Sequence, residues 1–319
     1  ITTNNARRIE FLTTISFFDR IFDGSLDILD CAAGTGAYAF YLADKGHHVT
    51  AADITPRHIE YIRNELRSKP YSMDTAVLDA SDMSCYDDEM FDVVLNMGPF
   101  YHLKSESLRT KCFEEFVDHV KRTGTPLDFF SYHSYLAPSD TVSHVALARK
   151  ALDDAGYEKT ELSLNEWLPN PKHAKLGTAE QAAEICAEML GLQGTRLDSA
   201  MIYDARCGLG SFSPLFNPFT YNPHKAYYAF VAFGELYRRQ REVRVDADLP
   251  SGVWAVAAGK PEDGAFVIAN STADALPLSL AFSSGRVATC RLTDETHTNE
   301  IVPLPDTLPA HAFLLVLTK

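Results

Sequence analysis

The stretch that most constrains the fold runs from Leu29 to Tyr38 and reads LDCAAGTGAY. An apolar run gives way there to small residues, and a helical pattern begins at Ala37, so the stretch predicts a strand, a tight turn and a helix start. Glycines at 34 and 36 allow backbone conformations that a side chain forbids, and they let a ligand approach the main chain. The helix directs unpaired amide groups at such a ligand. The turn is therefore predicted to cradle a cofactor.

An acidic residue stands at the end of the next apolar run. Asp53 follows the run from Val49 to Ala52 and comes seventeen residues after Gly36. A carboxylate in that place accepts hydrogen bonds from the hydroxyl groups of a ribose. The glycine turn and the carboxylate together indicate a ribose-containing cofactor more strongly than either feature does alone.

Strand-like runs alternate with helical patterns through the first part of the chain. Strands are predicted at 26–33, 49–54, 76–80 and 91–97, and helices at 9–22, 37–45, 57–67 and 105–121. This alternation predicts an α/β fold in which helices cover both faces of a parallel sheet. Ligands of such sheets bind at the carboxyl ends of the strands.

Four motifs in order resemble the S-adenosylmethionine-dependent methyltransferases of the Rossmann-like class. They are Asp30 to Gly36, then Asp53, then Asp79-Ala80, and finally Phe91 to Gly98 with Tyr101-His102-Leu103. The resemblance covers about residues 1–112. It implies S-adenosylmethionine as cofactor, bound by Asp30, Ala32, Gly34, Gly36, Asp53, Ile54, Asp79, Ala80 and Asn96.

The resemblance also implies which part of the cofactor each residue meets. Gly34 and Gly36 are expected to approach the methionine part, and Asp53 to hold the ribose. Asp79 is expected to meet the adenine amino group, with the amide of Ala80 on the ring. The sequence departs from the family at position 32, where alanine replaces a frequent glycine without removing the turn.

The last of the four motifs is expected to form the pocket for the methyl acceptor. By the resemblance, Asn96 lines this pocket through its backbone, and Tyr101 and His102 contact the substrate. Methyl transfer requires mainly that the acceptor and the sulfonium be held in line, with little acid–base chemistry. The leading expectation is therefore methyl transfer to a small-molecule acceptor.

After the long helix the sequence resembles a different family. The segments 127–135, 148–157 and 160–167 are similar to the C-terminal half of family thirty-nine glycoside hydrolases, the β-xylosidase and iduronidase group. This resemblance implies Glu166 as the catalytic nucleophile, His133 and Tyr135 as substrate residues at a sugar-binding strand end, and Trp167 as a substrate residue beside the nucleophile.

A retaining glycosidase needs a second carboxylate, about 5–5.5 Å from the first. In this family the acid/base stands in an Asn-Glu-Pro context, and the chain contains no such tripeptide. Retaining hydrolysis at Glu166 is therefore kept as an alternative function, beside a third possibility in which the chain is a non-catalytic fusion.

The two resemblances together predict a hybrid chain. The fold class is α/β, with a Rossmann-like parallel sheet continued by βα units of barrel type and followed by a C-terminal β-sandwich. The expected domains are 1–124, 125–240 and 241–319. We also expect the first sheet to continue beyond Met97 into 127–133 and 161–167, because its edge strand needs cover.

Charge and composition exclude several classes of partner. The net charge of -14 argues against binding to nucleic acid or to a membrane surface, because both need a basic patch. Six scattered cysteines without a Cys-x-x-Cys pair predict neither a metal site nor a disulfide framework. No apolar run approaches the ~18 residues of a membrane helix. A cytoplasmic location is the resulting expectation.

Overall fold

The computed structural model describes residues 5–87, 89–97, 105–124, 127–204, 213–260, 262–282 and 285–319. The chain divides into two compact units. The first comprises Ile1–Leu127 with Asp154–Tyr157, and the second comprises Asp128–Asp153 with Glu158–Lys319. Among the described residues, no helix is both long enough and apolar enough to cross a membrane. The expected domain boundaries at 124/125 and 240/241 stay predictions.

The first unit is built around a four-stranded parallel sheet with the order β3-β2-β1-β4. Its core includes Ile28 on the central strand and Leu42, Ile59 and Ile62 on the helices, all almost fully buried. This arrangement confirms the α/β prediction. The elements are α1 (Asn5–Ile21), β1 (Asp27–Asp30), α2 (Ala37–Asp44), β2 (His48–Asp53), α3 (Pro56–Leu66), β3 (Asp74–Val77), β4 (Val93–Leu95) and α4 (Glu106–Thr123).

Local sequence signals explain where the helices of this unit begin and end. Pro56 occupies the first turn of α3, where its missing N–H costs no hydrogen bond. The Ser105 side chain caps α4 by accepting a hydrogen bond from the N–H of Leu108 at 3.2 Å. Gly124 ends the same helix in the left-handed conformation.

The second unit opens with a three-stranded parallel sheet in the order β5-β6-β7. Helix α6 is buried along nearly its whole length, because it packs against both α7 and the antiparallel strands that follow. The elements here are β5 (Phe129–Ser134), α5 (Pro138–Asp154), β6 (Glu161–Trp167), a 3-10 turn (His173–Lys175), α6 (Ala179–Gln193), β7 (Ser199–Ile202) and α7 (Lys225–Arg239).

The chain ends in antiparallel strands, as the expected C-terminal β-sandwich requires. Six strands form one sheet in the order β13-β12-β15-β10-β9-β8, and β11 pairs with β14 in a second sheet. Apolar residues of both sheets share a core, which confirms the sandwich prediction. The strands are β8 (Glu242–Val243), β9 (Val253–Lys260), β10 (Asp263–Asn270), β11 (Leu276–Pro277), β12 (Val287–Thr293), β13 (Glu300–Ile301), β14 (Thr307–Leu308) and β15 (Ala312–Thr318).

One expectation about the parallel strands is wrong. The first sheet does not continue from β4 into β5, because in the described part of the chain β4 pairs with β1 and β5 pairs with β6 in a separate sheet. The expectation assumed that an exposed edge must be covered by another strand. An edge strand as short as the three residues of β4 does not require a partner strand.

Candidate functional site

The glycine turn lies at the carboxyl ends of the central strands. Beyond the last residue of β1, the N–H of Cys31 donates to the Leu95 carbonyl of β4 at 3.1 Å. The N–H of Ala33 donates to the Ala52 carbonyl of β2 at 2.8 Å. The turn is thus fixed to both neighbours of β1, at the point where the strand order reverses and α/β sheets bind their ligands.

The two glycines of the turn face different surroundings. Both have positive φ angles, 56° at Gly34 and 83° at Gly36. A Cβ placed on Gly34 meets no atom within 4 Å, whereas one on Gly36 lies 3.0 Å from Ile62 Cγ1 and 3.1 Å from Phe40. Gly36 therefore permits close packing against the core, and Gly34 leaves open space beside the main chain.

Asp53 accepts several hydrogen bonds from the protein itself. Its Oδ2 accepts from the N–H of Gly34 at 2.9 Å, and its Oδ1 accepts from the N–H of Thr55 at 2.8 Å and contacts His58 Nδ1 at 3.1 Å. Burial acts to raise the pKa of Asp53, but these donors, together with the Thr55 side chain, outweigh burial and hold the pKa below its usual value. The next residue, Ile54, is exposed.

Asp30 is a buried carboxylate at the end of β1. Its Oδ2 is enclosed and has no hydrogen-bond partner among the described residues. Burial raises the pKa of Asp30 to about 7, against a hydrogen bond from Ala32 that lowers it, and the nearby charge of Asp53 adds to the rise. The side chain is therefore poised to change its charge near neutral pH.

The other predicted cofactor residues also follow strand ends. Asp79 is exposed after β3, and its Oδ1 accepts from the Ser81 N–H at 2.9 Å and the Ser81 hydroxyl at 2.8 Å. Ala80 is buried. Asn96 follows β4 with its Nδ2 4.0 Å from Cys112 Sγ, while its enclosed Oδ1 has no hydrogen-bond partner among the described residues.

Three further residues concern this site, two predicted substrate residues and one residue that was not predicted. Tyr101 and His102 lie outside the described residues. His58 was not predicted, although it contacts Asp53 directly. The signal for it was its place in the first turn of α3, since side chains there lie beside the residues that precede the helix.

A second group of polar side chains lies at the strand ends of the second unit. Strand register sets His133 beside Glu166, with His133 Nδ1 3.6 Å from Glu166 Oε1. Burial, and then the charge of Asp204, raises the pKa of Glu166 above its usual value. Asp204 is itself buried and follows the end of the next strand, β7.

The two aromatic residues predicted near Glu166 differ in exposure. Tyr135 is half-buried, and its ring lies edge-on to those of His133 at 6.3 Å and Tyr203 at 6.0 Å. Trp167 is only 2% exposed, which places it in the interior. Its exposure therefore favours a packing role over contact with a substrate.

The described residues of the first site offer acceptors and open space but no metal-binding set. Within the described ranges, no group of three or more His, Cys, Asp and Glu side chains could hold a metal ion. Carboxylates of Asp30, Asp53 and Asp79 instead lie at or just beyond the ends of three neighbouring strands. Such a set suits a ligand that carries amine and hydroxyl donors.

Comparisons with known proteins agree with the first resemblance. Residues 28–124 match the family model described as methyltransferase domain. A search of curated proteins finds no match.

A solved protein from Pyrococcus horikoshii OT3 is 24% identical over 36% of this chain and 53% of that chain, with a TM-score of 0.33. A SAM-dependent methyltransferase from Methanosarcina mazei is 23% identical over 32% of this chain and 51% of that one, with a TM-score of 0.30. The chain thus spans about half the length of both.

A further solved structure is similar over most of the chain. A glucosidase from Croceicoccus marinus is 15% identical and covers 92% of this chain and 88% of its own, with a TM-score of 0.50. At that identity the similarity concerns the fold alone. Residues 28–124 thus match a methyltransferase-domain model, and the chain is similar in fold, at low identity, to a glucosidase.

Proposed function

We propose that the first unit binds S-adenosylmethionine and catalyses methyl transfer to a small-molecule acceptor. The observation that carries the proposal is the hydrogen bond from the Gly34 N–H to the Asp53 carboxylate at 2.9 Å. It joins the open glycine turn to a carboxylate at the end of the neighbouring strand. The match of residues 28–124 to the methyltransferase-domain model supports the same function.

Features of the site fit this cofactor. The enclosed Oδ2 of Asp30 suits the ammonium group of the amino-acid part, because a buried carboxylate needs a donor or a cation. The open space at Gly34 admits a ligand beside the main chain. Asp53 suits the ribose hydroxyls, and the exposed Ile54 offers an apolar surface next to it.

The chain's own residues then have binding and orienting roles. When bound, S-adenosylmethionine supplies a methyl group activated by a positively charged sulfur. The glycine turn and Asp53 fix the position of the bound molecule, and Asp30 balances positive charge in a buried place. Holding the two reacting groups in line is the main contribution such a site makes to the rate.

Calorimetric titration with S-adenosylhomocysteine tests this proposal. Asp53→Ala should weaken binding by roughly 1.5–3 kcal/mol, since hydrogen bonds to a charged group are lost. Asp74→Ala is the matched control, because it removes the same charge at the start of β3, away from the carboxyl ends of the strands. Its affinity should match that of the wild-type chain. Absence of heat with the wild-type chain and its variants at millimolar ligand would rule the proposal out. Transfer of labelled methyl groups to candidate acceptors then identifies the substrate.

A second candidate function is glycoside hydrolysis in the second unit. The contact of His133 with Glu166 and the glycosidase-like fold support it. However, a raised pKa keeps Glu166 protonated to higher pH, which suits a proton donor better than the ionised nucleophile that the resemblance implies. We therefore place this function second.

Aryl and unactivated xylosides distinguish the two functions. General acid catalysis typically contributes roughly 10²–10⁴-fold, and a 4-nitrophenyl leaving group needs it least. We expect at most slow release of nitrophenol and no turnover of natural xylosides. Efficient turnover of an unactivated xyloside, lost in Glu166→Gln, would instead establish the hydrolase as the leading function.

A further inference from the structure

We propose that His58 occupies an acceptor position on Asp53 that the ribose of the cofactor needs, so that binding displaces the His58 ring. This inference rests on the proposed function of the first unit. It assigns His58 a positioning role that controls access to Asp53. The side chain takes no part in the methyl-transfer chemistry.

The carboxylate of Asp53 has a limited number of positions that can accept a hydrogen bond. An ionised carboxylate offers about two acceptor positions on each oxygen. The Thr55 N–H at 2.8 Å and His58 Nδ1 at 3.1 Å already use the two positions on Oδ1, and the Gly34 N–H at 2.9 Å uses one on Oδ2. The Thr55 side chain is a further hydrogen-bond partner of this carboxylate. A ribose diol that contacts both oxygens needs one position on each. One of the donors on Oδ1 must therefore leave.

The two donors on Oδ1 differ in how easily they can move. The Thr55 N–H belongs to the main chain at the start of α3, where Pro56 fixes the next residue. His58 contributes a side chain that is 41% exposed, against 10% for Asp53. Rotation of the ring into water breaks one hydrogen bond and leaves the backbone in place. His58 is therefore the donor that the ribose replaces.

The position of the proton supports a true competition. An ionised carboxylate only accepts hydrogen bonds, so His58 Nδ1 must donate to Oδ1. A ribose hydroxyl also donates to the same oxygen. Both groups are donors to the same acceptor position on Oδ1, so only one of them can form its hydrogen bond there at a time.

The expected effect on affinity follows from this competition. Removal of the His58 ring leaves the position on Oδ1 open, so cofactor binding no longer has to break the hydrogen bond between His58 and Oδ1. We expect His58→Ala to bind S-adenosylhomocysteine roughly three- to tenfold more tightly than the wild-type chain, as a net hydrogen bond of ordinary strength implies. His58→Gln keeps a side-chain donor and should stay close to wild type.

The experiment is a calorimetric titration of the full chain with S-adenosylhomocysteine, using wild type, His58→Ala, His58→Gln and His48→Ala. His48 is an exposed histidine at the start of β2, so its variant controls for the loss of an imidazole. In parallel, the ring signals of His58 are followed by NMR during the titration. Displacement predicts that the Nδ1 signal shifts towards that of a solvated ring.

Each outcome decides between the possibilities. Tighter binding by His58→Ala alone, with a ring shift in the wild type, supports the inference, as does binding by His58→Ala when the wild type gives no heat. Binding that is unchanged or weaker in His58→Ala overturns the inference and leaves the proposed function in place. No heat with either protein overturns both. Alanine favours the helix, so loss of α3 is not expected in the variant.

Discussion

In the proposed cofactor site, the pKa of Asp30 sets the pH dependence that we expect for binding. Burial raises its pKa to about 7, so the side chain is largely protonated at pH 6 and ionised at pH 8. A bound ammonium group favours the ionised form. We therefore predict that the affinity for S-adenosylhomocysteine rises from pH 6 to pH 8, with release of a proton near neutral pH.

Asp30→Asn provides the control for that prediction, because an amide cannot ionise. Calorimetry in buffers of different ionisation enthalpy measures the released protons directly. The variant should show a flatter pH dependence and no buffer-dependent heat from this position. A wild-type affinity that is constant across this range would contradict the role given to Asp30.

The two glycines of the turn predict different costs of substitution. Gly34→Ala should destabilise by about 1–2 kcal/mol, because only the left-handed backbone is unfavourable for alanine. Gly36→Ala adds contacts with Ile62 and Phe40 and should cost a further ~1–3 kcal/mol. Urea unfolding of both variants measures the difference. Equal losses of unfolding free energy would show that the surroundings of Gly36 are not tight.

At the scale of residues, the sequence predicted where a residue lies along a strand better than which side chains it contacts. The place of Asp53 follows from the end of an apolar run, and the structure has it at the end of β2. Its hydrogen bond to His58 also depends on the rotation of α3 against the sheet, which the place of His58 in the first turn does not give by itself. The raised pKa of Asp30 likewise depends on burial by residues distant in the sequence.

At the scale of elements, helix α6 contains a buried acid from which we predict a pH-dependent contribution to stability. Glu188 is fully buried, and burial, followed by the charge of Glu184, raises its pKa well above the ordinary value. The folded state therefore binds a proton that the unfolded state releases. The stability linked to this proton is present at low pH and is lost as pH rises above the unfolded pKa towards the folded one.

Glu188→Gln tests this linkage, because the amide has a similar volume and carries no charge. We predict that the variant is more stable than wild type at pH 8 and that the gain shrinks at pH 4. Thermal unfolding at both pH values gives the comparison. A gain of the same size at pH 4 and pH 8 would show that ionisation of Glu188 is not its cause.

The elements themselves were largely predictable, while their pairing was not. Periodicity identified the helix at 105–121, and the structure has it at Glu106–Thr123. The strand predicted at 76–80 is found at Asp74–Val77. The prediction followed the apolar residues, but the buried Leu78 and Ala80 lie beyond the end of the strand. Local pattern gives no information on which strand β5 pairs with, and for that reason the single continuous sheet was wrong.

At the scale of the whole molecule, each unit has a hydrophobic core of its own. Ligand binding stabilises the part of a protein that holds the ligand. We predict that S-adenosylhomocysteine slows amide hydrogen exchange in residues 28–124 and leaves exchange in residues 241–319 unchanged. Protection confined to the strand ends around Glu166 would point to the second unit as the binding site.

A crystal structure of the chain grown with S-adenosylhomocysteine tests the central proposal most directly. We predict the ligand at the carboxyl ends of β1 and β2, with the amino-acid part near Gly34, the ribose on Asp53 and the His58 ring turned away. A ligand bound only beside Glu166, or crystals grown at saturating ligand in which no ligand is bound at Gly34, would contradict the proposal that the first unit is a methyltransferase.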